Sequence, residues 1–138
     1  MTLLDKQEEI QKIFQTCPTP EQKYQKVIEL GRALPPFDPS QKIEANLVHG
    51  CQSQMYLHTL YKEGRLYFNA DSEALISKGL AAILITVYQG EAPASIISSP
   101  PTFLKEIGLL QALSPGRSNG LLSLYLHMKA AASIYNKN

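Results

Sequence analysis

Cysteine is scarce in this sequence: only Cys17 and Cys51 occur among its 138 residues. Two cysteines cannot provide the disulfide framework that is typical of small secreted domains. No Cys-x-x-Cys or Cys-x-x-His spacing occurs either, so a metal site is a weak hypothesis and we expect none. A chain of this length can bury a core without cross-links, and we predict one domain over residues 1–138.

Charge is also low and almost balanced. Asp, Glu, Lys and Arg make up 18% of the residues, the net charge is +1, and the basic residues form no cluster. Proteins that bind nucleic acid or anionic lipid through charge carry a basic patch or stripe. We therefore expect neither nucleic acid nor a membrane among the partners of this chain.

Long apolar runs are missing as well. The longest apolar block, Leu80–Val87, is far shorter than the roughly 20 residues that a membrane-spanning helix needs. The first ten residues carry Asp5, Lys6, Glu8 and Glu9, which is unlike a secretory signal. We expect a soluble protein of the reducing cytoplasm.

The first elements are predicted to be two helices. Apolar residues recur on one face over residues 3–15, which indicates the first helix. Thr19-Pro20-Glu21-Gln22 is a capping box with proline at the first helical position, so a second helix should begin there and stop at Pro35-Pro36.

The middle of the chain changes to the composition of strands. Three strands are predicted, over residues 43–48, 54–62 and 65–70, and Glu63-Gly64 supplies the turn of a hairpin between the last two. Three helical regions should follow: a buried helix from a cap at Asp71 or Ser72 to Tyr88 with Gly90 at its C-terminus, two short pieces within residues 92–110, and a last helix from Ser114-Pro115 to about Tyr135. This order predicts an α+β fold in which a small three-stranded antiparallel sheet packs against helices.

The segment Gly50-Cys51-Gln52-Ser53-Gln54 carries the most plausible chemistry. It lies in a predicted loop between strands, where a reactive thiol is more plausible than an apolar filler, and the glycine allows a sharp turn. A reactive thiol needs its thiolate stabilised, and His49 and Arg117 are the cations to test. No phosphate-binding loop, pair of catalytic carboxylates or nucleotide fingerprint is present.

The remaining candidates stay open. Cys17 either fills space beside Pro18 or acts as a resolving thiol that forms a disulfide with Cys51. Arg117 is either a solvated side chain or a partner for an anion or thiolate. The segment Asp71-Ser72-Glu73 has the composition of an ordinary acidic helix start.

The chain resembles SufE-like proteins over nearly its whole length. The most specific match is Gly50-Cys51-Gln52-Ser53-Gln54. The other matching segments are Lys23-Tyr24, Glu29-Leu30-Gly31, Leu34-Pro35, Asp71-Ser72-Glu73-Ala74 with Ile76, Lys78-Gly79-Leu80, Leu113-Ser114-Pro115, Arg117-Ser118 and Gly120-Leu121. The sequence departs from the family pattern at His49 and at Glu73, where aspartate is frequent.

The resemblance implies a sulfur acceptor. Cys51 would take persulfide sulfur from a pyridoxal-phosphate-dependent group II cysteine desulfurase of the SufS or CsdA type, stimulate that enzyme, and pass the sulfur to an iron–sulfur scaffold of the SufBCD type. The cofactor would belong to the desulfurase, and this chain would bind none. The residues His49, Gly50, Gln52, Gln54, Asp71, Glu73 and Arg117 would support Cys51 or dock the partner. Two rivals are a thiol redox protein that uses Cys51 and Cys17, and an iron–sulfur scaffold, for which two cysteines are few.

Overall fold

The computed structural model describes residues 1–136, and its first two elements are the predicted helices. Helix α1 spans Leu3–Gln15 and helix α2 spans Pro20–Arg32. Both begin with a capping box, in which a threonine side chain accepts a hydrogen bond from the third helical backbone N–H and that residue's side chain bonds back. The second helix ends three residues before Pro35, at Arg32 instead of at the proline pair.

The sheet has two strands among the described residues, so the prediction of three was wrong. Strands β1 (Met55–Lys62) and β2 (Arg65–Ser72) form the predicted hairpin in antiparallel register. The segment predicted as another strand instead forms a 3₁₀ turn over Glu44–Asn46, and only one bridge, Leu47 with Tyr56, joins it to β1. The Asn46 side-chain amide donates to Gln41 at two oxygen atoms, so local bonds replace a strand ladder.

The buried central helix, α3, spans Leu75–Tyr88. The prediction that Asp71 or Ser72 caps it was wrong, because both residues extend β2 and pair with Tyr56 and Met55. Strand pairing in the hairpin therefore outweighs the preference of these two residues for capping a helix. Gly90, with φ of 73°, follows the helix as the predicted C-terminal stop.

The C-terminal part contains three short helices where two were predicted. They are α4 (Pro93–Ser98), α5 (Phe103–Glu106) and α6 (Leu109–Ala112). Gly108, with φ of 72°, separates the last two, since a left-handed residue cannot continue a helix. The predicted final helix, α7, spans Pro115–Tyr135 and begins at Ser114, whose side chain accepts a hydrogen bond from the backbone of Arg117.

Helix α3 forms the centre of this α+β domain and packs against α1, α2, β2 and α7. Its crossing with α2 is unusually close at Gly31 and Gly79, where a Cβ atom added to Gly79 would lie 2.0 Å from the Val27 carbonyl oxygen. The packing brings the first half of α3 and the first half of α7 to the loop before β1. Of the helices within residues 1–136, none is long and apolar enough to cross a membrane.

Candidate functional site

The segment of residues 50–54, the Cys51 loop, lies against the first half of α7. Gly50 adopts a φ of 94°, which disfavours any other residue, and a Cβ atom at this position would lie 2.4 Å from Ser123 Oγ. A Cβ atom at Gly116 would lie 2.1 Å from the Gln52 side-chain nitrogen. The positive φ favours glycine at position 50, and a side chain at position 116 would require the Gln52 side chain to move, so the loop lies directly on the helix surface.

The thiol of Cys51 is half-buried and points toward α7. Its Sγ–H donates a weak hydrogen bond to the carbonyl oxygen of Gly120 at 3.5 Å. Beside it lies a cavity of about 20 Å³, which is room for about one water-sized atom. The cavity is lined by Cys51, Gln52, Met55, Ser77, Leu80, Gly116, Arg117, Gly120, Leu121 and Leu124.

Burial raises the pKa of the Cys51 thiol above its ordinary value, and burial is the only cause of this shift among the described residues. The two cations predicted to stabilise the thiolate do not offset it. His49 is exposed, and Arg117 lines the cavity without lowering the pKa of the thiol. At neutral pH the thiol of the free protein is therefore protonated.

Arg117 is a half-buried cation in the first turn of α7. Within residues 1–136, no carboxylate oxygen lies within ion-pair distance of its guanidinium. A cation in this position opposes the helix dipole, which favours negative charge at an N-terminus. An anion in the cavity would therefore meet both Arg117 and the positive end of the helix.

Three of the predicted residues form a separate group. Gln54, Asp71 and Glu73 line a polar groove of about 180 Å³ together with Lys42, Tyr56 and Ser72. The Asp71 carboxylate pairs with Lys42 Nζ at 3.0 Å and with Lys78 Nζ at 3.7 Å. None of these residues lines the Cys51 cavity, so the groove suits a surface contact better than a role beside the thiol.

Two further candidates, His49 and Cys17, do not line the Cys51 cavity. His49 is exposed and lies close enough to His127 on α7 to lower the pKa of that side chain, although burial is the larger cause. Cys17 is buried where α1 ends, and its Sγ–H donates to the carbonyl oxygen of Ile13. Cys17 does not line the Cys51 cavity, and both cysteines are free.

Sequence reasoning missed the residues that α3 and α7 bring to the thiol. Ser77, Gly116, Gly120 and Ser123 were not site candidates, yet all four contact the Cys51 loop or its cavity. The spacing of Gly116 and Gly120 was a usable signal, because residues four apart on a helix share a face. Across residues 1–136, no group of three or more His, Cys, Asp or Glu side chains could hold a metal ion.

Comparisons with known proteins agree on one family. The family model "SufE: Fe-S metabolism associated domain" matches residues 8–132. The chain is 38% identical over 128 residues to the SufE-like protein 1, chloroplastic/mitochondrial, of Arabidopsis thaliana, covering 92% of this chain but 34% of that protein. It is 34% identical over 119 residues to an uncharacterized SufE-like protein of Synechocystis, covering 86% of this chain and 75% of the other.

A solved structure agrees with the fold. The solution structure of a hypothetical protein from Thermus thermophilus superposes with a TM-score of 0.79 at 25% identity, over 96% of this chain and 97% of that one. The likeness therefore extends through both the hairpin and the helices. The chain spans about a third of the length of the Arabidopsis relative.

Proposed function

This chain belongs to the SufE family, and on that premise we propose that it is a sulfur carrier for iron–sulfur cluster assembly. Cys51 accepts persulfide sulfur from a cysteine desulfurase of the SufS or CsdA type, stimulates that enzyme, and passes the sulfur to a scaffold of the SufBCD type. The observation that carries the proposal is a half-buried thiol on a glycine-bounded loop, beside a cavity with room for about one atom.

The transfer is a thiol exchange that needs no change of oxidation state overall. The Cys51 thiol loses its proton, and the thiolate attacks the outer sulfur of the donor persulfide. A new S–S bond forms to Cys51 Sγ while the donor's S–S bond breaks, and the donor cysteine leaves as a thiolate that takes up a proton. The products are a persulfide on Cys51 and a free donor thiol.

The composition of the loop suits this reaction. A thiolate is a good leaving group, so the step does not depend on a general acid beside Cys51. The loop accordingly carries glycine, amides and a hydroxyl, none of which titrates near neutral pH. The pyridoxal phosphate that cleaves the carbon–sulfur bond of cysteine belongs to the desulfurase in this proposal.

Docking on the desulfurase moves Cys51 out of its resting position. The half-buried thiol must reach a persulfide on another protein, and a lower pKa in the complex would raise the fraction of reactive thiolate. The Sγ–H contact with Gly120 is weak, and the positive φ of Gly50 marks a place where the chain turns sharply. Arg117 and the groove of Gln54, Asp71 and Glu73 are the surfaces that we assign to the partner.

Sulfur uptake tests the function directly. The chain is mixed with a group II cysteine desulfurase and cysteine, and its intact mass is measured under non-reducing conditions. We expect a mass gain of one sulfur atom that requires both the enzyme and cysteine. A desulfurase that becomes persulfidated while the mass of this chain stays unchanged would contradict the proposal for that enzyme.

Alkylation of Cys51 tests the movement. In the free protein the thiolate fraction is small at pH 7, because burial raises the pKa, so iodoacetamide should react several-fold more slowly than with an unstructured cysteine peptide. The rate should rise with pH to a midpoint above that of the peptide. Addition of the desulfurase should accelerate the reaction at pH 7, as peptide mapping after timed quenching would measure. Equal rates for free and bound protein would exclude the movement.

A further inference from the structure

We propose that His49 and His127 form a pH-sensitive latch at the base of the Cys51 loop, and that protonation of the His127 ring loosens the loop from α7. The inference rests on the proposed function, since it concerns the release of the loop that carries the acceptor thiol. It assigns to His127 a positioning role, because its ring acts on the loop and not on the transferred sulfur.

The path of the chain over α7 carries the first step. His49 lies between the buried Val48 and Gly50, which is the first residue of the Cys51 loop. Gly50 packs so closely on α7 that an added Cβ atom would lie 2.4 Å from Ser123 Oγ. His127 follows Ser123 by about one helical turn, so the two side chains share a face of α7. The loop therefore begins on the face that carries His127.

The cover over His127 carries the second step. Before it on the helix, the Gly120 carbonyl oxygen accepts the hydrogen bond from Cys51 Sγ. After it, Tyr135 stacks on Tyr61 of β1 with the ring centroids 4.4 Å apart. His127 lies between these contacts and is half-buried, so the loop and β1 cover its ring. A charged ring gains full hydration only if part of this cover moves, and the loop is the freer part because β1 is paired with β2 along its length.

Electrostatics carry the third step. The titratable groups on α7 and on the elements that face it are His49 and Cys51 at the loop, Tyr61 on the facing side of β1, Lys78 and Tyr88 of α3, and Arg117, Tyr125, Lys129 and Tyr135 of α7 itself, while α4 has none. Of the described groups, only His49 adds to burial in lowering the pKa of His127. No carboxylate oxygen within residues 1–136 lies within ion-pair distance of the ring. A protonated His127 is therefore destabilised by burial first and by a neighbouring cation second.

Acidification should therefore favour release of the loop. The closed arrangement lowers the pKa of His127 below the ordinary value of 6.5, so a loop that has moved away lets the ring take up its proton more readily. The closed loop is most stable above pH 6.5 and loses that stability as the pH falls through the lower pKa of His127 in the closed state. His49 strengthens the effect, because histidine gains its positive charge in the same pH range.

Backbone order of the loop at two pH values tests the latch. In the free, isotope-labelled chain, the NMR order parameters of the Gln52 and Ser53 amides should be about 0.85 at about pH 7.5, as in a rigid backbone, and below about 0.6 at about pH 5. His127→Gln cannot be protonated, so its loop should stay rigid at both pH values. The matched control His58→Gln should behave as wild type, because this β1 histidine lies near Asp38 instead.

A second variant tests the pairing of the two rings. His49→Gln removes the neighbouring cation from an exposed position, so the midpoint of the His127 ring signals should shift to higher pH. Its loop should also keep more order at about pH 5 than the wild-type loop, because protonation then costs the closed arrangement less. An unchanged midpoint and unchanged order in this variant would overturn the latch, and this result decides the matter if His127→Gln does not fold.

The outcomes separate this proposal from the carrier function. Wild-type order parameters that stay at about 0.85 at low pH, or that fall equally in His127→Gln, would overturn the latch and leave sulfur uptake by Cys51 untouched. A wild type that gains no sulfur from a persulfidated desulfurase would overturn the carrier function, while the pH dependence of the free loop would stand. Circular dichroism at both pH values checks that each variant is folded.

Discussion

Cys51→Ser is expected to take up no sulfur from a persulfidated desulfurase, while Cys17→Ser takes up as much as wild type. A serine hydroxyl stays protonated at neutral pH and does not displace a thiolate from a persulfide. The rate of sulfur uptake should therefore fall by about a hundredfold or more. The half-buried position of Cys51 suits the substitution, because serine has the same shape as cysteine and a smaller side chain. A folded but inactive variant is therefore the expected result.

Cys17→Ser is the matched control because it removes the other thiol. Cys17 is 4% exposed and hydrogen-bonded where α1 ends, and serine can donate to the same Ile13 carbonyl oxygen. Intact mass after incubation with desulfurase and cysteine measures both variants. Uptake by Cys51→Ser, or its loss in Cys17→Ser, would contradict the assignment of Cys51 as the acceptor.

The same pair of variants separates the carrier from its redox rival. A peroxide-reactive pair would form a disulfide between Cys17 and Cys51, which requires Cα atoms roughly 4.4–6.8 Å apart. Cys17 does not line the cavity beside Cys51, and the Cys17 thiol donates to α1 while the Cys51 thiol donates to α7, so we expect peroxide to yield no such disulfide in the folded chain. Its appearance in wild type, and its absence from both variants, would favour the rival.

The sequence predicted the site where its signals are local. A glycine, a cysteine and amides between two strand-like segments indicated a loop with a thiol at one end of the sheet, and Glu63-Gly64 gave the hairpin turn. Ser114-Pro115 set the start of α7 through capping. Each of these features depends on neighbouring residues alone, so a single sequence contains the necessary information.

The errors concern competition between distant partners. Residues 43–48 have the composition of a strand, but they form a turn. The Asn46 side chain hydrogen-bonds locally, and only one bridge, to Tyr56, connects this segment to β1. Asp71 suits a helix cap, yet pairing with β1 keeps it in a strand and ion pairs hold its carboxylate at the groove. When a segment suits two local structures, the local sequence pattern does not show which one the tertiary contacts stabilise.

The cavity beside Cys51 depends on packing between α3, α7 and the loop, and single-sequence reasoning does not reach it. Ser77 and Gly120 come from helices that are far apart in the chain, and they meet only because α3 packs against α7. The raised pKa of Cys51 has the same origin, since burial causes it. Residue types indicated sulfur chemistry, whereas the protection of the thiol follows from tertiary structure.

Gly79→Ala is expected to destabilise the protein strongly, although helix propensity alone predicts the opposite. Alanine in the interior of a helix is favoured over glycine by about 1 kcal/mol. A Cβ atom at Gly79, however, would lie 2.0 Å from the Val27 carbonyl oxygen and 2.5 Å from Val27 Cγ1. The Val27 carbonyl group belongs to the backbone and cannot move aside as the end of a side chain can. The helices α2 and α3 must therefore separate, which should cost about 3 kcal/mol or more of folding free energy. Packing outweighs propensity, and the free energy of unfolding should fall by at least about 2 kcal/mol.

Denaturant and thermal unfolding followed by circular dichroism would measure this effect, with a decrease of about 8 °C expected in the melting temperature. Thr86→Ala, an exposed substitution on the same helix, should change the free energy of unfolding by no more than about 0.5 kcal/mol. Gly31→Ala should lie between them, because its added Cβ atom would approach Gly79 backbone atoms no closer than 2.7 Å. A Gly79→Ala protein as stable as wild type would mean that the two helices are less closely packed than described.

The displacement should also reach the thiol, because Ser77 and Leu80 flank Gly79 on α3 and line the Cys51 cavity. If α3 moves away from α2 while the protein stays folded, the wall of the cavity shifts and Cys51 loses part of its burial. Burial alone raises the pKa of this thiol, so Gly79→Ala should lower that pKa and speed alkylation at pH 7 below the melting temperature. An unchanged alkylation rate in the destabilised variant would show that the crossing of α2 and α3 supports the fold without setting the reactivity of Cys51.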